Sequence, residues 1–287
     1  AVRFAAQLKF SIEPRTFAAI GQARENFRRV APERVREEIL KLLAAGNAWQ
    51  GVELLRLSGL MEDIFPELLA GVDFLQNPFH RHDVYRHTLH CLKKARGDGV
   101  LKLAVLLHDL GKPATAEGPE GQRTFYGHEK KSAEMARQIM QRLRFSGEEI
   151  ERVAALIENH MFHYEPGWTD GAVRRLIRRV GPARLEDLFE IRRADCWGRG
   201  YMVREGLKNL AELRKRVAQV LAEQAALKVT DLAVDGNDVM RLLRCPPGPQ
   251  VGRMLENLLE LVIDNPSLNN KEKLEEIILT IGNKKII

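Results

Sequence analysis

Cysteine is scarce in this sequence: Cys91, Cys196 and Cys245 stand far apart and form no CxxC pair. That spacing builds neither a disulfide framework nor a zinc knuckle, and it suits a reducing compartment. No apolar run approaches the ~18 residues of a membrane span, and the N-terminus lacks the basic-then-apolar layout of a signal peptide. The expectation is a cytoplasmic protein with no membrane partner. Strand-like alternation is nearly absent, aromatic residues amount to 6%, and no repeat or low-complexity tract occurs. The 45% apolar and 29% charged content excludes disordered and collagen-like chains. The first residue is Ala, and AVRFAAQLKF reads as the middle of an amphipathic helix, so these 287 residues are expected to be part of a longer protein.

Apolar residues recur at helical spacing instead, as in Ile39, Leu42 and Leu43, in Ala136, Ile139, Met140 and Leu143, and in Leu255, Leu258, Leu259 and Val262. Pro32, Gly97-Asp98-Gly99, Gly118-Pro119, Pro166-Gly167 and Gly181-Pro182 punctuate the segments. The fold class is therefore all-α. Composition divides it into three: Arg/Glu-rich helices without histidine over 1–75, a histidine-bearing helical domain over 76–205, and a helical C-terminal region over 206–287, broken by a loop at Cys245–Pro249. Lys+Arg 45 against Asp+Glu 39 leaves a net charge of +6, a modest bias toward polyanions such as nucleic acid.

All eight histidines fall between residues 76 and 165. The apolar stretch LAVLL runs into His108-Asp109, followed by Leu110-Gly111-Lys112, so charge appears where packing should continue. A buried Asp beside a His is costly unless it is paired or bound to a cation. Adjacent residues diverge by about 100° on a helix, so both reach one ion only near a helix terminus, which Gly111 is expected to supply. His87, His128, His160 and Asp195 stand in other amphipathic stretches and complete an ordered pattern H…HD…H…H…D. Imidazole and carboxylate together suit Mn, Fe, Co, Ni or Zn, with no thiolate expected to compete. Six ligands would serve two metals with Asp109 bridging; His87, His108, Asp109 and Asp195 alone would serve one. His80, His82, His90 and His163 are expected to be ordinary core or surface histidines, and Glu129 a capping or supporting acid.

Residues 171–204 hold nine arginines and no lysine against four acids. Arg174, Arg175, Arg178 and Arg179 should share a helix face, either ion-paired or tracking an RNA backbone, and Arg192, Arg193 and Arg199 near Asp195 could carry a terminal phosphate. Lys112 is either a phosphate partner or an exposed lysine at the helix end.

The motifs VYRHTLH, LLHDLGK, YGHEKKSA, LIENHM and RRADCWGR resemble those of the HD metal-dependent phosphohydrolases. The flanks AVRFAAQLKFSIEPRT and VREEILKLL…LLRLSGLMEDIFPEL, and the tail from VDGNDVMRLLRCPPGP onward, are similar to the neck, body and C-terminal region of the bacterial tRNA nucleotidyltransferase and poly(A) polymerase family. The resemblance implies 2′,3′-cyclic phosphodiesterase, 2′-nucleotidase and phosphatase activity with one or two divalent ions (Mn, Co, Ni or Mg), on a tRNA or other RNA 3′ end or on nucleotides. The family's Gly-Ser motif, Asp-x-Asp pair and templating helix do not occur in these residues, so nucleotide addition is not expected of this chain alone. The alternative expectation is a non-catalytic RNA-binding module, and the neck helices are candidates for contacts in a homo-oligomer.

Overall fold

A computed structural model of the chain describes residues 1–223 and 226–283. Among these, 17 α-helices and four short 3-10 helices account for the regular structure, and the one pairing of extended backbone is an isolated antiparallel bridge between Glu117 and Thr124. The chain packs as two units, residues 1–163 with 184–210 and residues 164–183 with 211–287. No helix among the described residues is long and apolar enough to cross a membrane.

The first unit begins with α1 (Val2–Leu8), α2 (Pro14–Gln22), α3 (Arg24–Phe27), α4 (Pro32–Ala44), α5 (Ala48–Leu57), α6 (Met61–Ile64) and α7 (Pro66–Leu69). Pro32, Pro14 and Pro66 each stand in the first turn of a helix, where their missing N–H is not needed. The site-bearing helices follow: α8 (Val84–Lys94), α9 (Gly99–Leu107), α10 (His128–Arg142) and α11 (Gly147–Asn159). Next in the chain is α12 (Asp170–Val180), which belongs to the second unit, and then α13 (Leu185–Arg199), which returns to the first.

Helix α9, GVLKLAVLL, is apolar on nearly every side and becomes the central helix, packed against α4, α8, α10, α11 and α13. Its lone charge, Lys102, is buried and donates to the Ala45 carbonyl at 3.1 Å. Asp98 caps its start by accepting from the Leu101 amide at 2.7 Å, and Asp83 caps α8 through the Arg86 amide at 2.7 Å. A capping box between Ser146 and Glu149 opens α11.

The second unit holds α12, the later part of α14 (Val203–Ala222), α15 (Gly236–Leu243), α16 (Pro249–Asp264) and α17 (Lys271–Asn283). Val239, Leu258, Leu259, Ile263, Leu274 and Ile278 form its core. Here the arginines of α12 find their partners. Arg174 is buried and donates to the Ile263 carbonyl at 2.9 Å. Arg175 pairs with Glu260 at 3.0 Å and Asp264 at 2.7 Å, and Arg178 with Glu256 at 2.5 Å and Glu260 at 2.7 Å. Arg179 is exposed. The structure thus gives an ion-paired face along α16 in place of a run of free guanidinium groups.

The compact units also depart from the expected three segments. The apolar α9 seats on α4, so residues 1–75 share a unit with the histidine helices, whereas the apolar side of α12 (Val173, Leu176, Ile177 and Val180) is buried with α16.

Candidate metal centre

Helix α9 ends at Leu107 with His108 as its C-cap, so the His-Asp pair does fall at a helix terminus. Gly111 has a different part from the one expected. Its φ is not positive, and a Cβ there would stand 2.6 Å from the His128 carbonyl oxygen and 2.8 Å from the Ser132 amide nitrogen. Its bare backbone lets the start of α10 approach the turn, and its amide donates to Ser132 Oγ at 2.8 Å. That approach carries His128 to Asp109.

Asp109 is the centre of the cluster. Its Oδ2 lies 3.2 Å from His87 Nε2 and 3.3 Å from His108 Nε2, and its Oδ1 lies 3.4 Å from His128 Nε2 and 3.8 Å from His160 Nε2. Asp195 on α13 places Oδ1 3.4 Å from His87 Nε2. All six residues are buried. They come from α8, α10 and α13 and from the ends of α9 and α11, and only His108 and Asp109 share a helix end.

Three rings are oriented by the same device. His108, His128 and His160 hold Nδ1 2.7, 2.7 and 2.6 Å from the carbonyls of Val105, Phe125 and Ile157, each three residues earlier. A carbonyl only accepts, so each Nδ1 carries a proton and each Nε2 faces Asp109. His87 differs, because its Nδ1 is buried without a hydrogen bond. Its Nε2 is also 3.4 Å from Cys91 Sγ. Cys91 brings a thiol to the edge of the centre, contrary to the expectation that none would be near.

The electrostatics is that of a buried anionic site. Burial alone would raise the carboxyl of Asp109, but His108 and Lys112 outweigh it and hold it well below the usual carboxylate range. For Asp195, Arg199, His87 and Arg192 likewise overcome burial. Burial opposes protonation of His87, yet Cys91 and the two carboxylates hold its proton well above the ordinary imidazole range. His160, buried and close to His108, is pushed down to about 3.

Lys112 is not an exposed lysine. It is buried, with Nζ 2.7 Å from Asp109 Oδ2, 2.8 Å from Gln76 Oε1 and over the Phe125 ring. His80 lies 3.5 Å from that Nζ, and burial with Lys112 lowers it to about 3, so it belongs to the site as well. Glu129 keeps its supporting place, 3.8 Å from His128 Nδ1. His82 and His90 stack on each other with centroids 4.2 Å apart, and neither lines the cavity of the site.

A cavity of about 340 Å³ opens over the cluster, with Lys112, His160, Arg192, Asp195 and Arg199 in its walls and exposed Tyr126 and Met161 at its rim. Arg192 and Arg199 approach Asp195 Oδ2 at 2.7 and 3.3 Å. Arg193 turns away to Glu190 and the Lys94 carbonyl. Gln76, Cys91 and Tyr126 escape sequence reasoning; only Cys91 carried a signal, four residues after His87 and so on the same helix face.

These residues fit a divalent cation. His128 Nε2 is buried with no hydrogen-bond partner, and two carboxylates with four imidazoles are a donor set of borderline character. His87, Cys91, His108 and Asp195 offer donor atoms that all lie within 4.8 Å of one another, as do His108, Asp109 and His160.

Residues 84–196 match the HD domain, and residues 9–71 match the "Probable RNA and SrmB- binding site of polymerase A". The chain is 36% identical over 274 residues to an A-adding tRNA nucleotidyltransferase of Deinococcus radiodurans, covering 91% of this chain and 62% of that protein. It is 34% identical to a CC-adding tRNA nucleotidyltransferase of Thermus thermophilus, covering 90% of this chain and 60% of the relative. A multifunctional CCA protein of Nitrosococcus oceani is 31% identical over 80% of this chain and 58% of its own length. The chain thus spans about 60% of the curated relatives it matches.

Proposed function

Because this chain belongs to the bacterial tRNA nucleotidyltransferase and poly(A) polymerase family, in its HD-containing part, we propose that the buried centre is a metal-dependent phosphohydrolase acting on RNA 3′ ends or nucleotides. The observation that carries the reading is the convergence of His87, His108, His128 and His160 on the two oxygens of Asp109 at 3.2–3.8 Å, beneath an open cavity. His87, His108, Asp109, His128, His160 and Asp195 would hold one or two divalent ions (Mn, Co, Ni or Mg). Such an ion supplies Lewis acidity at phosphorus and a water of lowered pKa.

The protein's own groups do the rest. Backbone carbonyls lock three imidazoles in the tautomer that offers Nε2 inward. A guanidinium has five donors, so Arg192 and Arg199 keep N–H groups for phosphate oxygens after pairing with Asp195. Lys112, held by Gln76, offsets phosphate charge in the same cavity. The exposed Tyr126 at the rim offers a face on which a base can stack.

The test is hydrolysis of a 2′,3′-cyclic nucleotide after chelation and separate return of Mn, Co, Ni or Mg. Turnover that returns with a metal and is missing in Asp109→Ala supports the reading; a folded protein inert with every metal refutes it. The match of residues 9–71 to an RNA-binding region favours a second reading, a non-catalytic RNA-binding module. RNA binding that persists in an inert protein selects it.

A further inference from the structure

Cys91 lies on the face of α8 that carries His87 and is fully buried. Its Sγ is 3.4 Å from His87 Nε2, and that nitrogen is 3.4 Å from His108 Nε2 and 3.4 Å from Asp195 Oδ1. Four ligands bound tetrahedrally to one ion through nitrogen, oxygen and sulfur, at bonds of about 2.0–2.3 Å, are separated by about 3.3–3.6 Å. The three observed separations fall in that interval.

The backbone opposite is shaped to this pair. A Cβ on Gly198 of α13 would stand 2.2 Å from Cys91 Sγ and 3.1 Å from the His87 ring. Bare backbone there lets thiol and imidazole sit side by side, and any larger residue would displace one of them. Asp109 is left free to share: with His108 and His160 it forms a second cluster of donors. His128, whose buried Nε2 has no hydrogen bond, faces the same oxygen of Asp109 as His160.

We propose that Cys91 is a thiolate ligand which, with His87, His108 and Asp195, holds one divalent ion. The thiol proton leaves to solvent as the metal–sulfur bond forms. A thiolate among imidazoles makes the site prefer cobalt, nickel or zinc to magnesium. The inference rests on the metal-centre reading above and adds to it a ligand and the class of cation.

The test follows cobalt binding to the chelated protein by visible d–d absorption and by near-ultraviolet thiolate-to-cobalt charge transfer, and examines zinc-loaded protein by X-ray absorption. The expected result is a charge-transfer band and one sulfur neighbour at about 2.3 Å. Both are lost in Cys91→Ser and kept in Cys196→Ser. Cobalt bound with d–d absorption but no charge transfer, or a band that survives in Cys91→Ser, overturns the thiolate ligand while the His/Asp centre stands. No cobalt bound at all overturns both. X-ray absorption on the unsubstituted protein decides the matter even if Cys91→Ser fails to fold.

Discussion

Asp109 meets four imidazoles and one ammonium group with two oxygens, so its neighbours compete for it. Lys112 Nζ, 2.7 Å away, is a cation where a metal would also bind. Lys112→Met is expected to keep or tighten metal binding, because a competing charge has gone. Turnover should fall roughly tenfold to hundredfold, the worth of one charged hydrogen bond to phosphate. Metal titration beside kinetics separates the two effects; weaker metal binding would make Lys112 a support for the ligands instead.

The same competition sets the pH behaviour. His160, lowered to about 3, is neutral in the fold but charges in the unfolded chain below about 6.5. The unfolded state then binds the extra proton, so the chelated protein should lose stability as pH falls from there toward 3, by about 1.4 kcal/mol per unit for this group. His87 is raised, so its contribution is complete below about 6.5 and is lost as pH rises through its folded value. Denaturant midpoints against pH should therefore pass through a maximum, and a saturating metal, which needs neutral His87, should flatten the alkaline side. A profile flat from pH 4 to 7 would contradict these assignments.

That His87, His108, Asp109, His128, His160 and Asp195 come together was legible because a histidine or aspartate recurs in an ordered set of amphipathic segments. The pairing of Lys112 with Gln76 was not, since 36 residues separate them and only the fold joins them. Cys91 was readable only in part: helical spacing puts it beside His87, but the approach of α13 at Gly198 decides that it faces the centre.

At the scale of elements, the site depends on where helices stop and how closely they cross. The end of α9 at the His-Asp pair follows from the sequence, because a polar pair after five apolar residues cannot continue a buried helix at low cost. The reason for Gly111 does not, because it lies in the backbone of α10. Gly111→Ala is expected to destabilise the protein by about 1–3 kcal/mol, as overpacking does, and to weaken metal binding by shifting His128. Thermal unfolding and metal titration of that variant test this; wild-type values for both would refute the close-crossing role. Helix α12 makes the opposite point. Its arginine spacing was plain, but the acids that answer it lie on α16, some 80 residues further along the chain.

At the scale of the whole molecule, the pairing of charges bears on the proposed binding of RNA. If Arg175 and Arg178 serve α16, replacing both with Gln should leave unchanged the slope of log affinity for tRNA against log salt. If they contact phosphates, the slope should fall by about 1.5. The all-α class and the family were legible throughout. The two packing units were not, because composition changes near residues 75 and 205 whereas packing follows the apolar faces of α9 and α12.

The proposed centre at Asp109 would bind a metal in order to hydrolyse a phosphoester. This is tested most directly by titrating the chelated protein with one metal while recording both bound ion and turnover of a 2′,3′-cyclic nucleotide. Turnover is expected to rise in step with occupancy, to saturate at one or two ions per chain, and to be missing in Asp109→Ala. Full occupancy with turnover no greater than that of Asp109→Ala would contradict it.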